Sequence, residues 1–186
     1  MTRAGEPAGP WQVQGVSGTR PKRGKRGPHG SREFPNTMTT TNSILNDLVE
    51  TLKDGQEGFR AAATEVEAGE LKKLFGEYSL QRSKFAGELL AMAHALGEPE
   101  PATTGTVAAK LHRGWMNLKS ALTSKDAHAI LAECERGEDS AVAEYKKALE
   151  AEGLPADVQE TLRAQSIEVK AAHDRIRNLR DSLAVE

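Results

Sequence analysis

Hydrophobic residues recur every three or four positions along most of the chain after Asn42, the spacing of one face of an α-helix. Four of these stripes are long, and each predicts one helix. The stripes run from Leu45 to Val66, from Leu71 to Leu96, from Ala127 to Leu149 and from Val158 to Leu183. Asn42 or Ser43 precedes the first stripe, where a polar side chain can accept hydrogen bonds from the free amides of a helix start.

Glycine and proline residues mark the ends of these helices. Gly69 and Gly153 separate the members of two helical hairpins, and Gly97 with Pro99 ends the second helix. A shorter stripe in the long connection predicts a short extra helix; it comprises Val107, Leu111, Trp115, Leu118 and Leu122. Two helical hairpins joined by one long crossover form the ferritin-like type of antiparallel four-helix bundle, so the predicted fold is all-α.

Composition agrees with one helical domain. The 186 residues are 38% hydrophobic and 28% charged, and only 4% aromatic. No apolar stretch reaches the roughly 18 residues that a membrane-spanning helix needs, and the N-terminus has no secretory signal. We therefore expect a cytoplasmic protein without membrane contact. Cys134 is the only cysteine, which excludes an intramolecular disulfide, and we expect it to be a core residue.

Residues 1–37 differ from the remainder. They contain twelve Gly or Pro residues, seven Lys or Arg and two Asp or Glu, whereas the whole chain has 25 basic and 27 acidic residues, which leaves about −7 on residues 38–186. Such a segment buries too little apolar surface to order itself. We interpret residues 1–37 as a disordered extension, which a misassigned start codon before Met38 would explain. We expect no nucleic-acid partner, except through this basic tail.

Each long stripe carries a polar residue near its middle. At about 100° per residue, Gln56, Arg82, Glu138 and His173 all face the bundle interior, and Gln81 adjoins Arg82. An unpaired buried charge costs several kcal/mol, so we expect Arg82 to pair with Glu138. In this interpretation the five residues form a buried polar layer that fixes the register of the helices.

The same level of a four-helix bundle can instead hold metal ions. Di-iron bundles use two Glu-x-x-His pairs, and no such pair occurs after residue 37. A single iron, manganese or zinc ion held by Glu135, Glu138 and His173 remains as an alternative. Arg82 argues against it, because a guanidinium repels a cation and stays protonated. We predict no cofactor and favour a protein that is not an enzyme.

The run Leu111-His112-Arg113-Gly114-Trp115 holds a second candidate contact. His112 and Trp115 lie three residues apart and share one edge of a helix. Gly114 between them costs helical stability, which suggests close approach by a backbone or a ligand. His112 and Trp115 are therefore candidate ligand contacts, although Trp115 can equally anchor the crossover helix in the core.

Residues 42–183 resemble a bacterial family of ferritin-like four-helix-bundle domains of unknown function. The resemblance is carried by four segments: 44–48 with 53–55, 111–115, 133–139 and 173–176. It implies a ferritin-like fold in a bacterial cytoplasm and gives no substrate or catalytic residue. We expect a structural or binding module, with a metal-binding or oxidative-stress protein using Glu138 and His173 as the alternative. The sequence identifies no partner of this protein, and a homo-oligomer is the one association that it leaves open.

Overall fold

The computed structural model describes residues 36–97, 118–123 and 126–183, with side chains from residue 40 onward. Four long helices make up most of this part of the chain: α1 (Asn36–Glu65), α2 (Gly69–Ala95), α3 (Ala127–Leu149) and α4 (Ala156–Leu183). Residues 118–123 are also helical, and the described residues contain no strand. The first part of the predicted crossover helix lies outside the described residues.

The predicted start of the first helix is wrong. α1 begins at Asn36, so Asn42 and Ser43 lie inside the helix and do not cap it. Asn42 is buried there together with Thr41, and tertiary packing of this kind overrides the weak preference of asparagine and threonine against helix interiors.

The other helix ends follow the turn chemistry of the sequence. Gly97 has a φ of 92° and Gly153 a φ of 77°, left-handed conformations that glycine adopts without steric cost. Asp126 caps α3 by accepting a hydrogen bond of 2.9 Å from the backbone amide of His128.

Contacts between side chains give the directions of the helices. Phe59 of α1 stacks on Phe75 of α2, and the hydroxyl of Ser79 on α2 donates to the backbone carbonyl of Gln56 on α1. The second contact lies further along α2 but further back along α1, so α1 and α2 are antiparallel. Gln165 of α4 hydrogen-bonds Tyr145 of α3, and His173, further along α4, contacts the earlier residue Asp139 of α3. The two helices α3 and α4 are therefore antiparallel as well.

α2 and α3 run in the same direction. Arg82 of α2 contacts Glu138 of α3, and further along both helices Glu88 and Tyr145 share one partner, Gln165. A parallel pair needs a long connection between its members, and residues 96–126 provide it.

The hydrophobic core consists of two clusters, one toward each end of the bundle. The first includes Leu48, Leu52, Phe85, Leu89 and Leu162, and the second includes Phe59, Phe75, Ile130, Leu131 and Ile176. The middle of all four helices lies between these clusters. The level where the sequence places its polar residues is therefore the boundary between two separate hydrophobic cores.

Candidate functional site

Arg82 and Glu138 occupy the boundary between the two core clusters. Their residues are 0% and 2% exposed, and the Arg82 Nη2 donates to the Glu138 Oε2 in a buried ion pair. Both side chains come from the middle of a long helix, so the backbone holds them at the bundle centre. Desolvation of each ion costs several kcal/mol, which their mutual attraction has to offset.

The remaining contacts of Arg82 enclose its guanidinium. The Nη1 atom donates to the Oε1 of Gln81, and the guanidinium carbon lies 5.8 Å from the centre of the Phe59 ring, within cation–π range. A Cβ added to Gly55 of α1 would lie 3.5 Å from the Cγ of Arg82. The Arg82 side chain therefore packs close to the α1 backbone at Gly55, where there is no side chain. No described residue accepts a hydrogen bond from the buried Nε atom of Arg82.

Glu138 is held in a strongly desolvated position. Burial raises the pKa of its carboxyl above the ordinary value, and the nearby charge of Arg82 opposes that rise without cancelling it. The raised pKa means that the folded protein would bind a proton at Glu138 more readily than the unfolded chain does. Arg82 is therefore the partner that keeps an acid at this position compatible with folding.

His173 is buried beside this ion pair but does not join it. Its Nδ1 lies 2.9 Å from the Oδ1 of Asp174, and its Nε2 lies 2.9 Å from the Oδ1 of Asp139. Both ring nitrogens are thus occupied by aspartates. Hydrogen bonds from Lys170 and then from His173 lower the pKa of Asp174 below its ordinary value.

Glu135 also has its own partner. The Nη1 of Arg180 donates to the Glu135 Oε2 at the edge of the bundle. The three residues of the metal alternative, Glu135, Glu138 and His173, therefore share no partner: Glu135 binds Arg180, Glu138 binds Arg82, and His173 contacts two aspartates. Across residues 36–97, 118–123 and 126–183, no group of three or more His, Cys, Asp or Glu side chains could hold a metal ion.

The two glutamines of the predicted layer have different positions. Gln81 links the ion pair to α4, because its Nε2 donates to the Glu168 Oε2 at 2.9 Å while its Oε1 accepts from Arg82. Gln56 is only partly buried, and its described contact is through the backbone, where its carbonyl accepts a 3.0 Å hydrogen bond from the Ser79 hydroxyl. His112 and Trp115 lie outside the described residues.

Sequence reasoning missed a second polar layer about two helical turns away. The Tyr145 hydroxyl donates to the Gln165 Oε1 at 2.7 Å, and the Gln165 Nε2 donates to the Glu88 Oε2 at 2.7 Å. Burial is the main cause that raises the pKa of Tyr145 above its ordinary value. Gln165 inside the apolar stripe of α4 is the signal that could have revealed this layer.

Sequence reasoning also missed a polar edge of α1. Asn42, Asn46, Glu50 and Asp54 follow one another at intervals of four residues. Within the described part of the chain, the buried Oδ1 atoms of both asparagines accept no hydrogen bond. Burial, followed by the charge of Glu50, raises the pKa of Asp54 from 3.8 to about 7. The interval of four residues was a visible signal of this edge.

Neither the groove nor the cysteine of the described structure adds chemistry to the central layer. A groove of about 320 Å³ lies between α3 and α4, and no residue of the Arg82–Glu138 layer lines it. Cys134 is buried in the second core cluster, and burial raises the pKa of its thiol, which disfavours the reactive thiolate. Within the described part of the chain, no helix is long and apolar enough to cross a membrane.

Comparisons with known proteins agree with this architecture. The family model for a domain of unknown function, DUF2383, matches residues 40–151, which is more than half of the chain. No curated protein sequence matches. A solved structure of a Dps1 mutant from Mycobacterium smegmatis is similar with a TM-score of 0.64 and 15% identity, covering 78% of this chain and 98% of that one. At this identity the likeness concerns the fold alone, and it confirms the predicted ferritin-like all-α class.

Proposed function

Since the chain belongs to the DUF2383 family of domains of unknown function, its role has to be inferred from its own residues, and we propose a non-catalytic structural or binding module. The single observation that carries this proposal is the Arg82–Glu138 ion pair at the bundle centre. A guanidinium fills the place that a metal ion would need and neutralises the acid that would bind it.

The surroundings of the ion pair support the same conclusion. Catalysis needs a group that can meet a substrate, whereas Arg82 and Glu138 are enclosed on both sides by hydrophobic clusters. The described groove between α3 and α4 does not include them. We infer that this layer specifies the register of the four helices, a role that buried polar groups have in other helical assemblies.

The alternative proposal, a metal-binding or oxidative-stress protein, requires rearrangement of three separate interactions. Arg82 would have to leave Glu138, Arg180 would have to leave Glu135, and the aspartates would have to release His173. Each step exposes a charge or breaks a charge-assisted hydrogen bond, worth roughly 1.5–3 kcal/mol each. We therefore rank this alternative second.

Metal analysis of the purified full chain separates the two proposals. Cells are grown with added iron, manganese and zinc, and the protein is compared with Glu138→Gln and with the control Glu144→Gln on the same helix. Far less than one ion per chain in all three proteins supports the module. About one ion per chain in the wild type and the control, lost in Glu138→Gln, would show a metal site.

We further propose that the protein acts in the bacterial cytoplasm and that residues 1–37 are an extension outside the bundle domain. The net positive charge of residues 1–37 contrasts with the acidic remainder, and only the first two residues of α1, Asn36 and Thr37, fall within this segment. A chain that begins at Met38 should keep the melting temperature of the full chain. A large loss of stability would show that the extension is part of the fold.

A further inference from the structure

The polar edge of α1 points away from the hydrophobic core. Glu50 lies two residues from both Leu48 and Leu52, which are buried in the first core cluster. Two residues turn a side chain by about 200° around a helix, so Glu50 starts on the opposite side of α1 from the core. Asn46 and Asp54 lie four residues before and after Glu50 and share this outer side of α1.

The outer side of α1 is nevertheless covered. Asn46 is only 6% exposed, and Glu50 and Asp54 are partly buried. The Asp54 Oδ2 atom is shielded from water, whereas the side chain of the adjacent Lys53, about 100° around the helix, is exposed. A side chain that projects away from the core of a bundle is ordinarily solvated. A part of the chain other than the two core clusters therefore covers this side of α1.

Leu118 reaches the neighbouring turn of α1. A Cβ added to Gly58 would lie 3.5 Å from the Cδ2 of Leu118, so the two helices are in close contact there. Gly58 lies four residues after Asp54, at the end of the row that the polar edge forms. The chain at Leu118 is thus about one helical turn away from Asp54.

The course of the chain fixes where the residues before Leu118 run. α2 ends beside the first core cluster, against which Leu96 packs, whereas Leu118 belongs to the second cluster. Residues 98–117, which lie outside the described ranges, therefore connect the first cluster to the second, the direction in which α1 also runs. The residues directly before Leu118 have to approach it from the side of Asp54 and not from the far end of α1.

The buried face of residues 118–123 predicts the buried face of the residues before them. This short helix has two exposed residues, Lys119 and Ser120, and three buried ones, Leu118, Ala121 and Leu122. Steps of three, four and seven residues back from Leu118 reach Trp115, Gly114 and Leu111. The same face of a continued helix would therefore present these three residues to α1.

Charge and length fit the same arrangement. Residues 107–117 contain Lys110, His112 and Arg113 and no Asp or Glu, whereas the outer side of α1 carries Glu50 and Asp54. Eleven helical residues extend about 16 Å, enough to cover α1 from Gly58 back past Glu50. Gly114 adds no side chain at the level of Asp54, which permits close approach of the two backbones.

We propose that residues 107–117 continue the helix of residues 118–123 and dock on the polar edge of α1, with Leu111, Gly114 and Trp115 facing α1. The occupant of this surface is the crossover of the same chain. The docked helix excludes water from Asp54 and gives Trp115 a packing role in place of a ligand contact. This inference does not depend on the Arg82–Glu138 layer, so either proposal can fail without the other.

Cysteine cross-linking of the full chain tests the position of the segment. In a Cys134→Ala background, Asp54→Cys with Gly114→Cys places two thiols at the proposed contact. Lys53→Cys with Gly114→Cys is the matched control, at the same level of α1 but on its exposed side. Because a disulfide needs Cα atoms within about 7 Å, the Asp54 pair should oxidise at least about tenfold faster than the control. Melting curves verify that each variant folds.

Equal oxidation rates for the two pairs would overturn the proposal. Disulfides that form only between two chains would overturn it as well, because they would assign the surface to a second copy.

Trp115 provides a second measurement that leaves the docked face unchanged. Trp11 and Trp115 are the two tryptophans of the chain, so Trp11→Phe makes Trp115 the sole reporter. Acrylamide should quench its fluorescence at least about threefold less in the folded protein than in urea, because a docked indole is buried. A chain that begins at Met38 should show the same shielding; its loss there would assign the surface to the basic extension and overturn the proposal.

A matched pair of substitutions links this shielding to the docked face. Leu111→Glu places a third acid beside Glu50 and Asp54 and should raise the quenching of Trp115 toward its unfolded value. Met116→Glu makes the same kind of change about 140° around the helix and should leave the quenching unchanged. Equal effects of the two substitutions, or equal quenching in the folded and unfolded protein, would contradict docking on α1.

Discussion

Replacing the Arg82–Glu138 pair by hydrophobic residues gives the most informative prediction. We consider Arg82→Met, Glu138→Leu and the double variant, each close in shape to the residue it replaces. Each single change leaves one buried ion without its partner, whereas the double change removes both ions. The account predicts strong destabilisation by each single change and little or none by both together.

The structure sets the size of these effects. Breaking a buried ion pair by removing one partner costs about 3–5 kcal/mol, because the other charge stays desolvated. Arg82→Met also forfeits the contact with the Phe59 ring, about 1 kcal/mol, and removes the buried Nε that has no hydrogen bond. The double variant should be within about 1 kcal/mol of the wild type or more stable, since well-packed hydrophobic residues often replace such pairs without loss.

The two single variants should differ in their dependence on pH. In Arg82→Met the remaining Glu138, whose pKa burial already raises, can bind a proton and become neutral. Because a raised folded-state pKa gives stability that is lost as pH rises through it, Arg82→Met should be less destabilised at pH 5 than at pH 8. The guanidinium left in Glu138→Leu cannot lose its proton in this range, so its defect should be similar at both pH values.

Urea denaturation followed by circular dichroism at both pH values measures the four proteins of this cycle. The coupling energy between the two sites should be several kcal/mol, far above the roughly 0.5 kcal/mol typical of independent sites. Additive single effects would refute the interpretation of the layer as one interdependent pair. Glu144→Leu on α3, outside the buried layer, is the control for removing an acid from that helix.

Three further predictions concern α1, the turn after α2 and the second polar layer. Asp54→Asn should stabilise the protein by about 1–2 kcal/mol at pH 8 and by less at pH 4.5. Burial raises the Asp54 pKa from 3.8 to about 7, so the aspartate costs stability as pH rises from 3.8 toward 7, and its partial exposure reduces that cost. A larger gain at pH 4.5 than at pH 8 would contradict this. Gly55→Ala should raise the free energy of unfolding by about 0.5–1 kcal/mol, since the new Cβ would lie at an ordinary contact distance of 3.5 Å from Arg82. Gly97→Ala should lower the free energy of unfolding by about 1 kcal/mol, because the φ of Gly97 is 92°. Thermal melts that reverse this order would contradict the described backbone. Tyr145→Phe should destabilise by about 1 kcal/mol, because Gln165 loses a buried hydrogen-bond donor, and an unchanged urea midpoint would show that this bond contributes nothing.

The bundle could be predicted from the sequence because its signals are local. Apolar spacing located all four helices, and Gly97 and Gly153 marked the turns that their positive φ values require. The start of α1 could not be predicted, because its polar residues from Asn36 to Ser43 resemble a capping segment and only burial of Thr41 and Asn42 against the rest of the fold makes them helical.

The site was predictable in its position and less so in its pairing. Helical periodicity placed Arg82, Glu138 and His173 at one level, and the cost of an unpaired buried charge predicted the pair of Arg82 with Glu138. It did not predict which acids His173 meets. Pairing depends on rotamers and on distances between helices, so the contacts of His173 with Asp139 and Asp174 appear only in three dimensions.

Anomalous diffraction from crystals grown with manganese tests the central claim most directly. The account predicts the Arg82 guanidinium on the Glu138 carboxylate and no anomalous peak within bonding distance of Glu138 or His173. A manganese peak between these two side chains, with Arg82 displaced from the bundle centre, would contradict it.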